Sequence, residues 1–169
     1  MIKIWRNNSM KTINLLKKRA GSVLFKDGLV DITDPCYDSD VWCRTVNTRI
    51  KPGTYDCYAY ICKKGEADDL GRCFITQIVH HNYNTEKVPD SSWKHLCSIG
   101  VDAGLAGFFS HKPDLVDDEW LKFCHEIEGK NYMIVKDTCS GFVTSSGYGD
   151  GKYDVYACYH DGEIVALEI

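Results

Sequence analysis

At 169 residues, with 44 % hydrophobic and 26 % charged side chains, the chain suits one globular domain with a single sizeable core. Twenty Lys and Arg against 24 Asp and Glu give a net charge of −4, which argues against general nucleic-acid binding, since that needs a basic face. No apolar run approaches the ~18 residues of a membrane span and Met1 to Arg6 contains no signal-peptide apolar region, so the chain reads as cytoplasmic with no membrane partner.

Residues 1–21 read as an N-terminal arm, with a short amphipathic helix from Asn14 to Ala20 stopped by Gly21, and residues 22–169 as a single β-rich domain. Val23-Leu24-Phe25 and Leu29 to Ile32 are apolar runs joined by Lys26-Asp27-Gly28, a hairpin signal. Thr33 to Thr48 shows no period and is expected as an ordered loop. Thr54 to Cys62 reads as a strand with Tyr55, Cys57, Ala59 and Ile61 on one face and Asp56, Tyr58 and Tyr60 on the other. Arg72 to His81 is another strand, with Phe74, Thr76, Ile78 and His80 sharing a face, and Asn82 to Trp93 is a long polar loop. Cys97–Val101 and Leu105–Phe109 are strands around a turn at Asp102-Ala103-Gly104. The one convincing helix spans about 114–127, with Asp114 as N-cap, Asp117, Asp118 and Glu119 in its first turn, and Gly129 after its end. Short strands at Tyr132–Val135 and Gly141–Thr144 precede a terminal hairpin, Tyr153–Tyr159 and Ile164–Ile169. The fold class is therefore α+β and β-rich, a mostly antiparallel sandwich or partly open barrel with one main helix.

Nine cysteines, an odd number without any C-x-x-C, read as reduced thiols buried as small hydrophobes. Cys36 differs in sitting in a turn beside Asp34 and Pro35, though no neighbouring cation is there to depress its pKa. Adjacent His80 and His81 point to opposite faces, so His80 is read as a hydrogen-bonded interior group or a proton carrier. The Tyr55/Tyr58/Tyr60 and Tyr153/Tyr156/Tyr159 sets could stack on a planar ligand or simply pack. Lys17-Lys18-Arg19 reads as a solvated face.

Three polar constellations interrupt the apolar strands: Asp31 to Tyr37, Gly100 to Gly104, and Ser145 to Tyr153. Three carboxylates, Asp34, Asp102 and Asp150, could converge on a hard metal ion. A Gly-rich loop around Gly147, Gly149 and Gly151 could instead present backbone N–H groups to an anion near Lys152. Turn chemistry alone, Asp capping amides and Gly supplying positive φ, explains each motif separately. No Walker A frame, EF-hand loop or G-x-S-x-G elbow occurs.

Asp34-Pro35, Ile50-Lys51-Pro52-Gly53-x-Tyr55, Val101-Asp102-Ala103-Gly104, Gly147-x-Gly149-Asp150-Gly151-x-Tyr153 and the terminal Asp161-Gly162 turn follow one another in an order that resembles an uncharacterised domain family of bacteria and their phages, across residues 22–169. Asp154 stands where that family often has Pro. The resemblance implies a compact, mostly β, intracellular domain and brings no established reaction. The leading functional reading is a binding protein without catalysis and without a cofactor. It would sequester a small polar ligand, such as a nucleotide-derived defence signal if the chain is a phage protein. Its ligand-binding residues would be Asp34, Tyr37, Asp102, Gly149, Asp150, Gly151, Lys152 and Tyr153. The alternatives are a metal-dependent hydrolase using Asp34, Asp102 and Asp150, and an inhibitor or immunity module presenting the acidic loop Asp38 to Asp40. Oligomerisation is left open.

Overall fold

The computed structural model describes residues 2–6, 9–37, 41–64, 70–85, 89, 92–111, 115–136 and 140–169; of 2–12 and 64 only the backbone is described. Among these residues run the strands β1 (Ile2–Arg6), β2 (Ser9–Phe25), β3 (Leu29–Thr33), β4 (Thr45–Arg49), β5 (Gly53–Lys64), β6 (Cys73–His80), β7 (Trp93–Val101) and β8 (Leu105–Phe109). The helix α1 (Asp117–Ile127) follows, then β9 (Tyr132–Val135), β10 (Gly141–Ser145), β11 (Gly151–His160) and β12 (Glu163–Glu168). The helix is too short to cross a membrane.

Two antiparallel sheets pack face to face as a sandwich, not a closed barrel. One has seven strands in the order β1-β2-β5-β6-β12-β11-β7, the other five in the order β4-β3-β8-β10-β9. Alternation drives this arrangement. Tyr55, Cys57 and Ala59 of β5, Ile78 of β6, Leu167 of β12, and Val155 and Ala157 of β11 are all fully buried on the inner face of the larger sheet. They meet Val30 and Ile32 of β3, Ala106 and Phe108 of β8, and Phe142 of β10 from the smaller one. The other face of the smaller sheet is covered by α1, whose Phe123 and Ile127 pack on Leu105, Phe109 and Val143. Burial on both faces explains why every residue of β8 is buried.

Several sequence-based expectations are corrected here. Asn14 to Ala20 is not a helix but part of the 17-residue strand β2, paired with β5 from Asn14 to Phe25. Register shifts at Asn14/Leu15 and Arg19/Gly21 interrupt the period of two, so Ile13, Leu16, Ala20 and Val23 recur at helical spacing although the backbone is extended. Lys26 to Gly28 does form a turn, closed by Gly28 N–H on Phe25 O at 3.2 Å, but β2 and β3 do not pair. Phe25 and Val30 are both fully buried, so the turn carries the chain over the core from one sheet to the other. The expected loop Thr33 to Thr48 contains the start of β4, whose exposed edge position removes the apolar signal. Strand β7 starts four residues earlier than Cys97, at Trp93. Val116 occupies the N-cap of α1, and its N–H donates to Glu119 Oε2 at 3.3 Å. The expected cap Asp114 lies outside the described residues, as does the acidic loop Asp38 to Asp40.

Candidate functional site

The three polar constellations come from chain segments far apart, yet they meet at one end of the sandwich. Asp34 leaves β3 fully buried and divides its two oxygens. Oδ1 accepts Cys36 N–H at 2.9 Å, while Oδ2 accepts the N–H groups of Asp102 at 2.8 Å and Ala103 at 2.7 Å, 68 and 69 residues away. The β7–β8 turn is tied in the same way to the Gly-rich loop, since Ser146 N–H donates to Gly104 O at 2.9 Å. Asp31, one turn of the pleat upstream, is also buried and accepts Asn47 N–H at 2.9 Å, with Arg44 Nη2 3.7 Å from its other oxygen.

This convergence is made by carboxylate on backbone amide, not by carboxylate on carboxylate. Asp102 and Asp150 are exposed, and both oxygens of Asp34 are engaged. Among the described residues no three His, Cys, Asp or Glu side chains are grouped so that they could hold a metal ion. The Asp34, Asp102, Asp150 set is thus held near one end of the fold without forming a ligand cluster. Asp34 acts as a bracket for two turns.

The remaining candidate residues divide between support and surface. Tyr37 is half-buried over β7, its hydroxyl on the Cys43 thiol, and burial first, then that bond and the nearby acids, push its pKa up. Burial, with the Asp34 carboxylate beside it, also pushes the Cys36 thiol up to about 12. A thiol so raised is protonated at neutral pH and is a poor nucleophile. Tyr153 turns inward and its hydroxyl donates to Ser146 O and to Gly149 O, the latter at 2.8 Å. Ser146 Oγ also donates to Gly149 O at 2.7 Å. Lys152 and Gly151 are exposed at the entry to β11, and a Cβ on Gly149 would meet nothing within 4 Å. Close approach occurs at Gly147 instead, where a Cβ would stand 2.8 Å from Cys73 O.

Residues that the sequence did not single out complete this end. Arg72, next to β6, donates to Gly147 O at 2.7 Å from 75 residues away, and its guanidinium carbon lies 5.2 Å from the ring centroid of Tyr148. Tyr148 meets Phe74 edge-on at 5.7 Å and is 46 % exposed. Arg72 also lines an open depression of about 390 Å³, with Leu70, Gly71, Asn131, Ser145 and Gly147 and no carboxylate among the described residues. A smaller cavity of about 60 Å³ under Tyr148 has room for little more than water. Tyr148 carried a signal, as an aromatic inside a Gly-rich run. Arg72 carried none, because its partner is fixed only by the pairing of distant strands.

The other candidates resolve clearly. His80 is buried, accepts Asn82 N–H on Nδ1 at 3.3 Å and places Nε2 3.3 Å from Pro52 O, the arrangement of a hydrogen-bonded interior histidine. The tyrosine sets split by face: Tyr55 and Tyr153 point inward, whereas Tyr58, Tyr60 and Tyr156 lie on the solvent face of the larger sheet. There Lys17 Nζ sits 4.3 Å from the Tyr58 centroid, and Arg19 pairs with Asp56 at 2.5 Å. Ser98, His95 and Asp154 meet on the same face but not as a nucleophile triad. Ser98 Oγ donates directly to Asp154 Oδ1 at 2.6 Å, and His95 Nε2 faces that same oxygen at 3.4 Å. The Ser98 hydroxyl first, and His95 next, hold the Asp154 carboxyl below its usual range.

Compared with known proteins, the chain matches no family model, no curated protein and no solved structure.

Proposed function

We propose that this chain is a binding protein without its own catalytic machinery, and that it takes a small anionic ligand bearing a planar ring at the loop end of the sandwich. One observation carries the reading. The Arg72 guanidinium, beside β6, meets the half-exposed Tyr148 of the Gly-rich loop and also lines an open depression that has no carboxylate among the described residues of its lining. Such a depression falls within the ~300–1,000 Å³ of ordinary ligand sites. Arg72 would meet the anion, Asn131 and Ser145 would offer further polar atoms, and Tyr148 would stack on the ring. A nucleotide-derived molecule combines these features, so sequestration of such a signal in the cytoplasm is the form this function would take. The eight described cysteines, all free thiols, suit that compartment.

Against catalysis stand the protonated Cys36, the structural His80 and the misdirected Ser98, His95 and Asp154 set. The test is mass spectrometry of small molecules released when the purified protein is denatured, followed by calorimetry with the released species or with a panel of nucleotides. The expected outcome is a phosphate-bearing aromatic ligand whose affinity falls roughly tenfold or more in Tyr148→Ala, with little change in melting temperature. No released molecule, together with no nucleotide binding up to about 1 mM, would overturn it.

A further inference from the structure

The two long sides of the sandwich differ. On one side the chain closes the gap between sheets: Gly100 N–H of β7 donates to Cys43 O at 2.8 Å, and Thr45 Oγ1 of β4 lies 3.3 Å from Cys97 Sγ. On the other side β2 and β9 face each other without pairing. Strand β1 pairs with β2 only as far as Ile13, so from Asn14 onward that edge of β2 has no strand partner among the described residues. Among the described residues strand β9 ends the smaller sheet, with β10 beside it. Between them lies a groove of about 350 Å³ lined by Ala20, Gly21 and Ser22 on one wall and Lys130, Tyr132, Met133, Ile134 and Lys136 on the other.

The hydrogen-bond register shows which groups β9 offers. Ser145 N–H donates to Asn131 O at 2.9 Å, so Asn131 and Ser145 form a bonded pair. Bonded and non-bonded pairs alternate along an antiparallel ladder, and Met133–Val143 and Val135–Gly141 are therefore the next bonded pairs. The N–H and C=O groups of Tyr132 and Ile134 then point away from β10, into the groove. An open edge of this kind is a template for one more strand. Ala20, Tyr132 and Ile134 give the groove apolar walls packed on the core, and a Cβ on Gly21 would meet Ile134 Cγ1 at 3.1 Å. Exposed lysines mark both ends, Lys130 before β9 and Lys136 after it, and among the described residues no carboxylate lines the groove, in a chain whose net charge is −4.

We propose that β9 is a docking edge for an extended peptide segment of a partner protein, one that alternates apolar residues with Asp or Glu and adds to the smaller sheet as a sixth strand. Its apolar side chains would enter the groove beside Ile134 and Tyr132, and its carboxylates would meet Lys130 and Lys136. This edge adjoins the loop-end depression, whose lining includes Asn131, but the two share no lining residue and can fail independently.

The experiment uses a fluorescent six-residue peptide alternating Val and Glu, with a Val/Lys peptide and a Val/Glu peptide interrupted by Pro as comparisons. The Val/Glu peptide should bind. Lys130→Glu combined with Lys136→Glu should weaken it roughly tenfold or more without lowering the melting temperature, since both side chains are exposed. The Pro peptide should not bind. Amide hydrogen exchange at Tyr132 and Ile134 should slow on binding, while Met133 and Val135, already bonded to β10, should change little. Equal binding of the Val/Lys peptide, binding without protection at Tyr132 and Ile134, displacement by inorganic pyrophosphate at the same concentration as the peptide, or no binding at about 1 mM would each overturn the proposal.

Discussion

Asp34 shows how one residue can look like a ligand and work as a bracket. A carboxylate beside Pro, followed at distance by Asp-Ala-Gly and Gly-Asp-Gly, invites a metal site because hard ions need oxygen donors. Buried backbone N–H groups need acceptors just as strictly, and three of them aim at this one side chain. Asp34→Ala should leave all three unsatisfied and lower unfolding free energy by about 3–5 kcal/mol. Asp34→Asn keeps one oxygen but turns an amide against the other N–H groups, and should cost about 1–3 kcal/mol. Denaturant titration measures both. Near-wild-type stability in Asp34→Asn, with loss confined to ligand binding, would mean that the carboxylate serves a ligand after all.

Among the elements, the Gly-rich segment between β10 and β11 is braced by bonds from Tyr153, Ser146 and Arg72. Gly147 and Gly149 both have positive φ, +63° and +92°, where an L-residue costs ~1–2 kcal/mol. They differ in what lies beside them. Gly147 stands on the backbone of β6 at Cys73, whereas Gly149 faces open space. Gly147→Ala should therefore lose at least about 2–3 kcal/mol, combining backbone strain with the displacement of Cys73, and Gly149→Ala about 1–2 kcal/mol. Thermal melts of the two variants side by side give the comparison. Equal losses would show that the loop does not rest on β6 as described. The same reasoning applies to the 50–55 segment, where Tyr55 hydroxyl donates to Lys51 O at 2.8 Å and Lys51 N–H donates to Ile164 O at 2.9 Å. The second bond fastens the segment to the last hairpin, and the first ties the start of β5 back onto the segment.

For the whole molecule, the order of strands matters more than their number. In the larger sheet β6 lies between β5, its neighbour in sequence, and β12, the last strand of the chain. Val79 opposes Ala166, and Thr76 and Ile169 exchange both backbone bonds, N–H to O at 3.1 and 3.0 Å. The central ladder cannot close until the terminal hairpin docks, and every long-range pairing must first overcome its loop-closure entropy. Refolding from denaturant should accordingly be slow, on the order of milliseconds to seconds, as for other sheet-dominated domains. Stopped-flow fluorescence of Trp93 and Trp120 would record it. Relaxation in microseconds would contradict a topology in which sheet completion limits the rate.

What the sequence determined by itself is what short-range physics controls. Tyr55, Cys57 and Ala59 alternate because side chains on a strand do, so their sharing one face is legible in the sequence, and the structure buries that face. Asp161-Gly162 marks the terminal hairpin, and acidic residues at 117–119 mark the start of α1, because turn geometry and the helix dipole act over a few residues. Tertiary structure alone decided the rest. The bulges of β2 made a strand look helical, and Lys26 to Gly28 was a sheet-to-sheet turn because the edges of β2 and β3 were claimed by β5 and β8. It also decided that Asp34 would spend its charge on amides 68 and 69 residues away, and that Arg72 would stand over Tyr148. A local pattern specifies which faces a residue can present. Which distant group fills that face is fixed only when the core is packed and every buried donor has found its acceptor.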